Sequence, residues 1–421
     1  MVHIDFKVWT LSQWLSYLET LHPTTIELGL DRIKKVAVLL NITKPAKTVI
    51  TVAGTNGKGS VVASLSAVYL EAGYRAGAYT SPHLWHFSER IVINGKSVTD
   101  ADLCRVFSKI EFHRENISLT YFEFTTLAAL LLFQEADLDI AILEVGMGGR
   151  LDAVNIIDAD IAVITTIDLD HENWLGNTRE KIGYEKAGIC RANKPVVCGN
   201  NMPESVLNTA QKINAKIFRL EKNFSIDSIN SIQFIAEKPV NLLTPLPKAN
   251  LLIHNIALSL KVLELLSQHY PISSETITKA ISQCRLPGRQ QIIENPIWQI
   301  FDVAHNPQGV QSLAERLQTL PKMGSVRAVF SMLRDKDVQA SVAPIDSLID
   351  VWYVAGLDEP RGMTTTEIAH SLRQLTTKPV LEFENITIAY QTACKQAETQ
   401  DRLVIFGSFY TVSKTMDGEG V

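Results

Sequence analysis

The chain lacks the features that would place it outside the cell, in a membrane or on nucleic acid. Its five cysteines (Cys104, Cys190, Cys198, Cys284 and Cys394) are odd in number, far apart and without a CxxC pair. That spacing argues against a disulfide framework or zinc site and fits reduced thiols in a cytosolic protein. No uncharged apolar run reaches the roughly 18 residues that a membrane span needs. The first residues, MVHIDFKVWT, carry acidic and polar groups where a signal peptide needs an apolar core. Positive charge is not in excess either: the formal net charge is −5, so no general attraction to polyanions is expected. Internal repeats and low-complexity tracts are absent. A soluble, cytoplasmic protein is expected, with neither nucleic acid nor membrane as a partner.

What is present is ordinary in bulk, with 46% hydrophobic and 20% charged residues. At 421 residues the chain is too long for one ordinary core, and two domains are the natural expectation. One stretch stands out. The β-branched run Thr48, Val49, Ile50, Thr51, Val52 breaks at Gly54-Thr55-Asn56-Gly57-Lys58-Gly59-Ser60, and a helical pattern follows from Val61. Strand, glycine-rich loop and helix form the setting of a P-loop, where backbone N–H groups and a helix N-terminus face phosphates. Lys58 supplies a positive charge and Ser60 a hydroxyl for a bridging Mg²⁺. The loop departs from G-x-x-x-x-G-K-[ST], because Gly59 separates Lys58 from Ser60 and Gly54 sits closer to Gly57. A turn whose glycines serve backbone geometry alone is the competing account, and four coinciding features outweigh it.

Helical spacing over 8–22 and 31–40 precedes the P-loop. Strands are expected at 75–80, 139–146 and 161–167, with a strongly apolar helix over 122–136 between the first two. Such alternation predicts a parallel sheet covered by helices on both faces. Residues 219–248 read as small edge strands or loops, and 251–267 and 274–283 as helices. A turn-rich bridge from Leu286 to about Pro296 marks the boundary, giving domains 1–286 and 287–421. Beyond it, strands at 298–303, 326–331, 351–355, 379–383 and 403–406 alternate with helices near 309–320, 337–349, 365–375 and 385–398. This is a second, smaller α/β domain of the Rossmann-like class. No GxGxxG follows its first strand, so dinucleotide binding is not supported. The last residues, 416–421, are expected to fray.

In open parallel sheets ligands gather at the carboxyl ends of the strands. The candidates there are the P-loop, Thr80-Ser81-Pro82-His83, Glu144 with the glycine-rich run that follows it, and Asp168-Leu169-Asp170-His171. Glu144 ends a buried strand and is placed to reach a P-loop metal, although an acid at a strand end is often simply hydrated. His171 suits a second divalent ion, but a loop histidine is more often a surface or capping residue. No second histidine follows His171-Glu172 at zinc-protease spacing. Lys186 would ordinarily be a solvated helix charge. Asp302 and His305 end the first strand of domain two, facing the nucleotide across a cleft or acting as structural caps. The residues alone give a Mg²⁺-dependent, ATP-using enzyme with its site between two α/β domains. Kinase, ligase and motion-coupled hydrolase stay open.

Taken in order, Gly54–Ser60, Thr80–His83, Glu144-Val145-Gly146-Met147-Gly148-Gly149-Arg150-Leu151-Asp152, Glu185-Lys186-Ala187-Gly188-Ile189, Pro287-Gly288-Arg289 and Asp302-Val303-Ala304-His305-Asn306-Pro307 resemble the folylpolyglutamate synthases. These are relatives of the Mur ligases, and the resemblance spans nearly the whole chain. The fold it implies is a Mur-ligase-like P-loop ATPase domain plus a Rossmann-like glutamate ligase domain. Residues 12–30 and 118–123 are similar to the bifunctional bacterial enzymes, which also act as dihydrofolate synthases. The implied reaction is ATP-dependent addition of L-glutamate to dihydropteroate and to reduced folates through an acyl phosphate.

The resemblance also assigns residues. Gly57, Lys58, Gly59 and Ser60 hold the ATP phosphates. Ser60, Ser81 and Glu144 form a first Mg²⁺ site, and His171 with a carboxylated Lys186 a second, with Lys58, His171 and Lys186 serving catalysis. Asn255, Arg289, Asp302 and His305 match nucleotide-contacting positions. Glu27, Leu28, Gly29, Leu30, Thr120, Tyr121, Phe122, Glu123, Leu151, Asp152 and Ala153 match the pterin-binding segments, with Glu27 and Met147 as mild departures from the pattern. A monovalent cation such as K⁺ is a further implied occupant, and a monomer the implied state. The rival readings are a monofunctional folylpolyglutamate synthase, a Mur-type ligase acting on a nucleotide-sugar peptide, a P-loop kinase or ATP-driven switch, and a non-catalytic folate binder.

Overall fold

A computed structural model describes residues 8–227, 233–235, 251–294, 296–321 and 324–416. The chain divides into two compact units, Met1–Cys284 and Arg285–Val421.

The first unit opens with helices α1 (Leu11–Thr20) and α2 (Asp31–Leu39), followed by β1 (Ala46–Ala53), α3 (Lys58–Glu71) and β2 (Ala76–Tyr79). A short antiparallel excursion, β3 (Ile91–Ile93) and β4 (Lys96–Ser97), leads to α4 (Asp100–His113), α5 (Tyr121–Glu135) and β5 (Leu138–Glu144). Then come β6 (Ile161–Ile164), α6 (Glu172–Leu175), α7 (Arg179–Ala187), β7 (Pro195–Cys198), α8 (Glu204–Lys212) and β8 (Lys216–Arg219). The hairpin strands β9 (Ser225–Asp227) and β10 (Gln233–Ile235) precede α9 (Ile253–Leu266) and α10 (Ser274–Gln283). The main sheet has the order β4-β3-β2-β5-β1-β6-β7-β8 and is parallel from β2 to β8. The sheet is therefore mixed, with an antiparallel edge that the short strands of residues 91–97 did not announce. Most of the expected edge structure over 219–248 lies outside the described residues.

Burial explains the sequence pattern. In β1 the five residues Val49–Ala53 are all buried, because helices cover both faces of the central strands. The apolar helix α5 is buried over Glu123–Phe133 and crosses the sheet as a core element. It starts at a capping box in which Thr120 and Glu123 satisfy each other's backbone donors. On its outer side Trp14 of α1 is fully buried, edge-on to Phe107 of α4 at 5.8 Å.

The second unit contains β11 (Gln291–Ile293), β12 (Trp298–Phe301), α11 (Pro307–Thr319), β13 (Val326–Phe330), α12 (Val338–Val342), β14 (Val351–Ala355), α13 (Thr365–Arg373), β15 (Val380–Phe383), α14 (Ile386–Gln396), β16 (Arg402–Phe406) and α15 (Phe409–Ser413). Its sheet order is β11-β12-β16-β13-β14-β15, parallel except for β11. The turn-rich bridge thus contains an edge strand. The expected helix near 337–349 shortens to α12, with Pro344 two residues beyond its end. Of the expected fraying, residues 417–421 lie outside the described residues.

Replacing Trp14 by Ala removes a fully buried aromatic and is expected to destabilise the first unit by roughly 3–5 kcal/mol, with Trp14→Phe costing less. Urea unfolding followed by circular dichroism measures both. In the second unit, Arg334 and the Thr364 backbone and hydroxyl lower the Glu367 carboxyl from 4.5 to about 2. A carboxyl depressed on folding contributes stability that is present above its unfolded value and lost as pH falls through the folded one. Thermal unfolding of Glu367→Gln should therefore depend less on pH than wild type from pH 4.5 downward; identical profiles would refute the assignment.

Candidate active site

The site of the first unit is built where β1 ends. Residues 54–57 form the turn and α3 begins at Lys58, three residues earlier than the hydrophobic pattern alone suggests. Lys58, Gly59 and Ser60 are therefore its first turn, whose N–H groups lack intrahelical acceptors. Gly57 has φ of +86°, and a Cβ there would lie 2.5 Å from Asn255 Oδ1. Only glycine permits that approach between loop and α9. Asn255 is buried, and its Nδ2 has no hydrogen-bond partner among the described residues. A buried, unused donor packed on a phosphate-type loop is the chemistry expected of a nucleotide contact.

The loop is anchored from the end of β6. Thr55 N donates to Thr166 O at 2.8 Å, Asn56 N to Thr166 Oγ1 at 3.0 Å, and Thr165 Oγ1 to Asn56 O at 2.6 Å. β6 stops at Ile164, and Thr165 and Thr166 serve as loop anchors rather than strand residues. The two threonines at a strand end were the available signal for this role. Lys58 folds back so that Nζ donates to Gly54 O at 3.0 Å and Thr55 O at 3.3 Å.

Lys186 meets the same carbonyl. Its Nζ donates to Gly54 O at 3.0 Å, and the residue is only 4% exposed. It is not a solvated helix charge. Burial pulls its amine down to about 7, assisted by Lys58 and opposed by Asp170 and Asp152. The glycine-rich run at 146–152 packs against the end of α7 that carries it. Arg150 N donates to Glu185 O at 2.7 Å, and a Cβ on Gly149 would lie 2.9 Å from the Glu185 and Lys186 carbonyls. Asp152 is buried and accepts from Met147 N at 2.8 Å and Val154 N at 3.1 Å. Burial raises its carboxyl to about 6 against those hydrogen bonds.

Glu144, at the end of β5, is buried, and Ser81 N approaches its Oε2 at 3.4 Å. Glu144, Ser81 and the first-turn Ser60 are oxygen donors on three neighbouring elements. One carboxylate with hydroxyls suits a Mg²⁺ that draws its other ligands from phosphate and water. Among the described residues no group of three or more His, Cys, Asp or Glu is placed to hold a metal. His171 stands at the N-cap position of α6 in the left-handed region (φ +52°) without a side-chain cap bond, its Nε2 4.0 Å from Asp170 Oδ1.

The substrate-type segments meet through Arg32, which the sequence did not single out. Arg32 pairs with the Glu27 carboxylate, donates to Glu27 O at 2.9 Å, and faces both oxygens of buried Glu123 at 3.3–3.4 Å. Residues 27–30 are thereby tied to Thr120–Glu123. Phe122 reaches the loop that leads to the third segment: a Cβ on Gly146 would lie 2.5 Å from its ring. Residues 151–153 continue that loop, with Asp152 and Ala153 buried and Leu151 half-buried.

In the second unit Asp302 follows β12. It is buried, accepts from Ala304 N at 2.7 Å and Gln290 N at 3.2 Å, and is pushed up to about 6 by burial, with Arg289 opposing. Phe409, another residue missed in sequence, gathers the others: the Arg289 guanidinium lies 5.0 Å from its ring and the His305 ring 6.2 Å away. Asn306 caps α11.

The comparisons agree with this architecture. Residues 52–244 match the family model for the Mur ligase middle domain, and 288–409 that for the Mur ligase glutamate ligase domain. The chain is 43% identical over 412 residues to the dihydrofolate synthase/folylpolyglutamate synthase of Escherichia coli (strain K12), covering 97% of this chain and 95% of that one. The Haemophilus influenzae protein of the same name is 38% identical, covering 96% of each. A solved structure of E. coli FolC in complex with DHPP and ADP superposes with a TM-score of 0.93 at 41% identity, covering 97% of both chains. A bifunctional folylpolyglutamate synthase/dihydrofolate synthase with Mn, AMPPNP and L-glutamate bound gives 0.90 at 42% identity, covering 99% of both. With such identity along nearly its whole length and two Mur ligase domains in order, the chain belongs to the dihydrofolate synthase/folylpolyglutamate synthase family of Mur ligases.

Proposed function

We propose that this protein is an ATP-dependent ligase that joins L-glutamate to dihydropteroate, giving dihydrofolate, and to reduced folates, giving folylpolyglutamates. The observation that carries the reading is the pair Lys58 and Lys186 on the carbonyl of Gly54, with the buried carboxylate Glu144 ending the adjacent strand β5. A free carboxylate resists attack by an amine because its leaving group would be an oxide. Transfer of the ATP γ-phosphoryl to that carboxylate gives an acyl phosphate and ADP. The glutamate amine then adds to the carbonyl carbon, loses a proton, and phosphate departs as the amide forms. Lys58 and the N–H groups of the first turn of α3 stabilise the charge on the transferring phosphoryl.

Ser60, Ser81 and Glu144 would hold one Mg²⁺, which supplies further charge neutralisation at the phosphates. His171 and Lys186 would serve a second. An ammonium cannot ligate a cation, so Lys186 fits that role only as a carbamate. Its burial favours the neutral amine, the form that adds carbon dioxide. A monovalent cation such as K⁺ would be a further occupant. Glu27–Leu30, Thr120–Glu123 and Leu151–Ala153 would hold the pterin. Asn255 of the first unit and Arg289, Asp302 and His305 of the second would serve as nucleotide contacts. A monomer suffices for this chemistry.

Purified protein with ATP, Mg²⁺ and L-glutamate should form a new amide with dihydropteroate and with tetrahydrofolate, read by mass together with ADP release. Product from tetrahydrofolate alone would reduce the activity to polyglutamylation, and ATP turnover without either product would favour a kinase. Lys58→Ala should lower kcat by at least roughly a hundredfold while leaving the circular dichroism spectrum intact. A fully active variant would refute its placement at the phosphoryl group.

A further inference from the structure

Arg90 lies at the carboxyl edge of the main sheet but belongs to none of the assigned sets. Its carbonyl accepts from Thr80 N at 2.9 Å, which places it beside Ser81. The guanidinium lies 5.4 Å from the Phe87 ring and 5.7 Å from the ring of Tyr121, a residue of the substrate-type segment. Its Nε donates to His83 Nδ1 at 2.8 Å, which fixes the rotation of the guanidinium plane. Among the described residues, Nη1 and Nη2 meet no acceptor. Other half-buried or buried arginines of this unit are used differently. Arg114 commits both Nη atoms to Glu111, Tyr17, Glu115 and Ile117, and Arg191 commits both to backbone carbonyls and Asn155. Arg90 is held by one edge and two aromatic rings, with its two-pronged end open.

We propose that Arg90 binds the spectator carboxylate of folate acceptors and so separates the two acceptor classes. The inference rests on the ligase reading above. Dihydropteroate has one carboxylate, and that group must react. The terminal glutamate of a reduced folate has two: one is activated and the other stays ionised beside the reaction. A site serving both acceptors needs a carboxylate receptor used by only the second. A planar guanidinium with paired N–H groups is the side chain suited to it, and neighbouring rings that exclude water strengthen the bond. Recognition of the reacting carboxylate itself would instead affect both acceptors alike.

The test compares kcat/KM for tetrahydrofolate and dihydropteroate in wild type, Arg90→Lys and Arg90→Met. The ratio should shift toward dihydropteroate by roughly tenfold or more, through KM for tetrahydrofolate, because a charge-assisted hydrogen-bonded pair is lost. Equal losses with both acceptors would overturn the proposal, since they indicate a structural or phosphoryl role. A substrate-side measurement needs no variant: wild type should discriminate by a similar factor against tetrahydrofolate whose spectator carboxylate is amidated. An undiminished rate with that amide would also overturn it. If wild type used neither acceptor, the ligase reading itself would fail, an outcome distinct from an unchanged ratio.

Discussion

Two lysine amines share one backbone oxygen at the carboxyl end of β1, and the surrounding site is arranged to bring them there. Lys58 reaches Gly54 O from the first turn of α3, and Lys186 reaches it from the last turn of α7. These helices follow different strands, so the convergence requires the parallel order that sets β1 beside β6. It also requires a thin contact at Gly149, where the 146–152 loop presses on the end of α7. Asp152 holds that loop by accepting from Met147 N within it and Val154 N just past it. Like charges within two hydrogen-bond lengths repel strongly in a poorly solvated site. Burial first, and this repulsion second, bring the Lys186 amine down to about 7.

The acceptor side follows a different principle. Arg32 is the hub there, bridging exposed Glu27 and buried Glu123. Glu123 also closes the capping box of α5, so one carboxylate both ends a helix and ties down residues 27–30. Arg114 is likewise saturated, between Tyr17 and Glu111. Against this background of arginines that join elements, Arg90 stands at the carboxyl edge of the sheet with its fork unspent. Structural arginines and a ligand-facing arginine are separated here by what their Nη atoms touch, since burial alone does not distinguish them.

Much of this was legible in the sequence because it is local. The run from Thr48 to Ser60 shows strand, loop and helix within thirteen residues, and Glu144 and Asp302 mark strand ends, one closing β5 and the other just past β12. The buried helix α5 shows as an unbroken apolar stretch. Less legible were features that depend on partners far away in the chain. Strands β3, β4 and β11 are too short to carry a period, and they form because a neighbour offers an edge. Lys186 looked like a surface charge, since in sequence nothing near it tells of the P-loop carbonyl 132 positions earlier. Arg32 and Phe409 are organisers through contact alone. Their roles become visible only once Glu123 is beside Arg32, and Arg289 and His305 are beside Phe409.

The two lysines on one carbonyl also bear on why such a loop is glycine-rich. On the reading proposed above, a phosphate group entering the turn would gain attraction to Lys58 and accept hydrogen bonds from the N–H groups at the α3 terminus. Any anion that binds only the folded site stabilises it by mass action, so the empty enzyme is the less stable species. Side chains at Gly57 would close the space that the anion and Asn255 share, a steric demand separate from the demand for positive φ. The glycines, the two lysines and the buried amide of Asn255 are therefore one device. Its components come from β1, α3, α7 and α9, and the order of the sheet is what lets them meet.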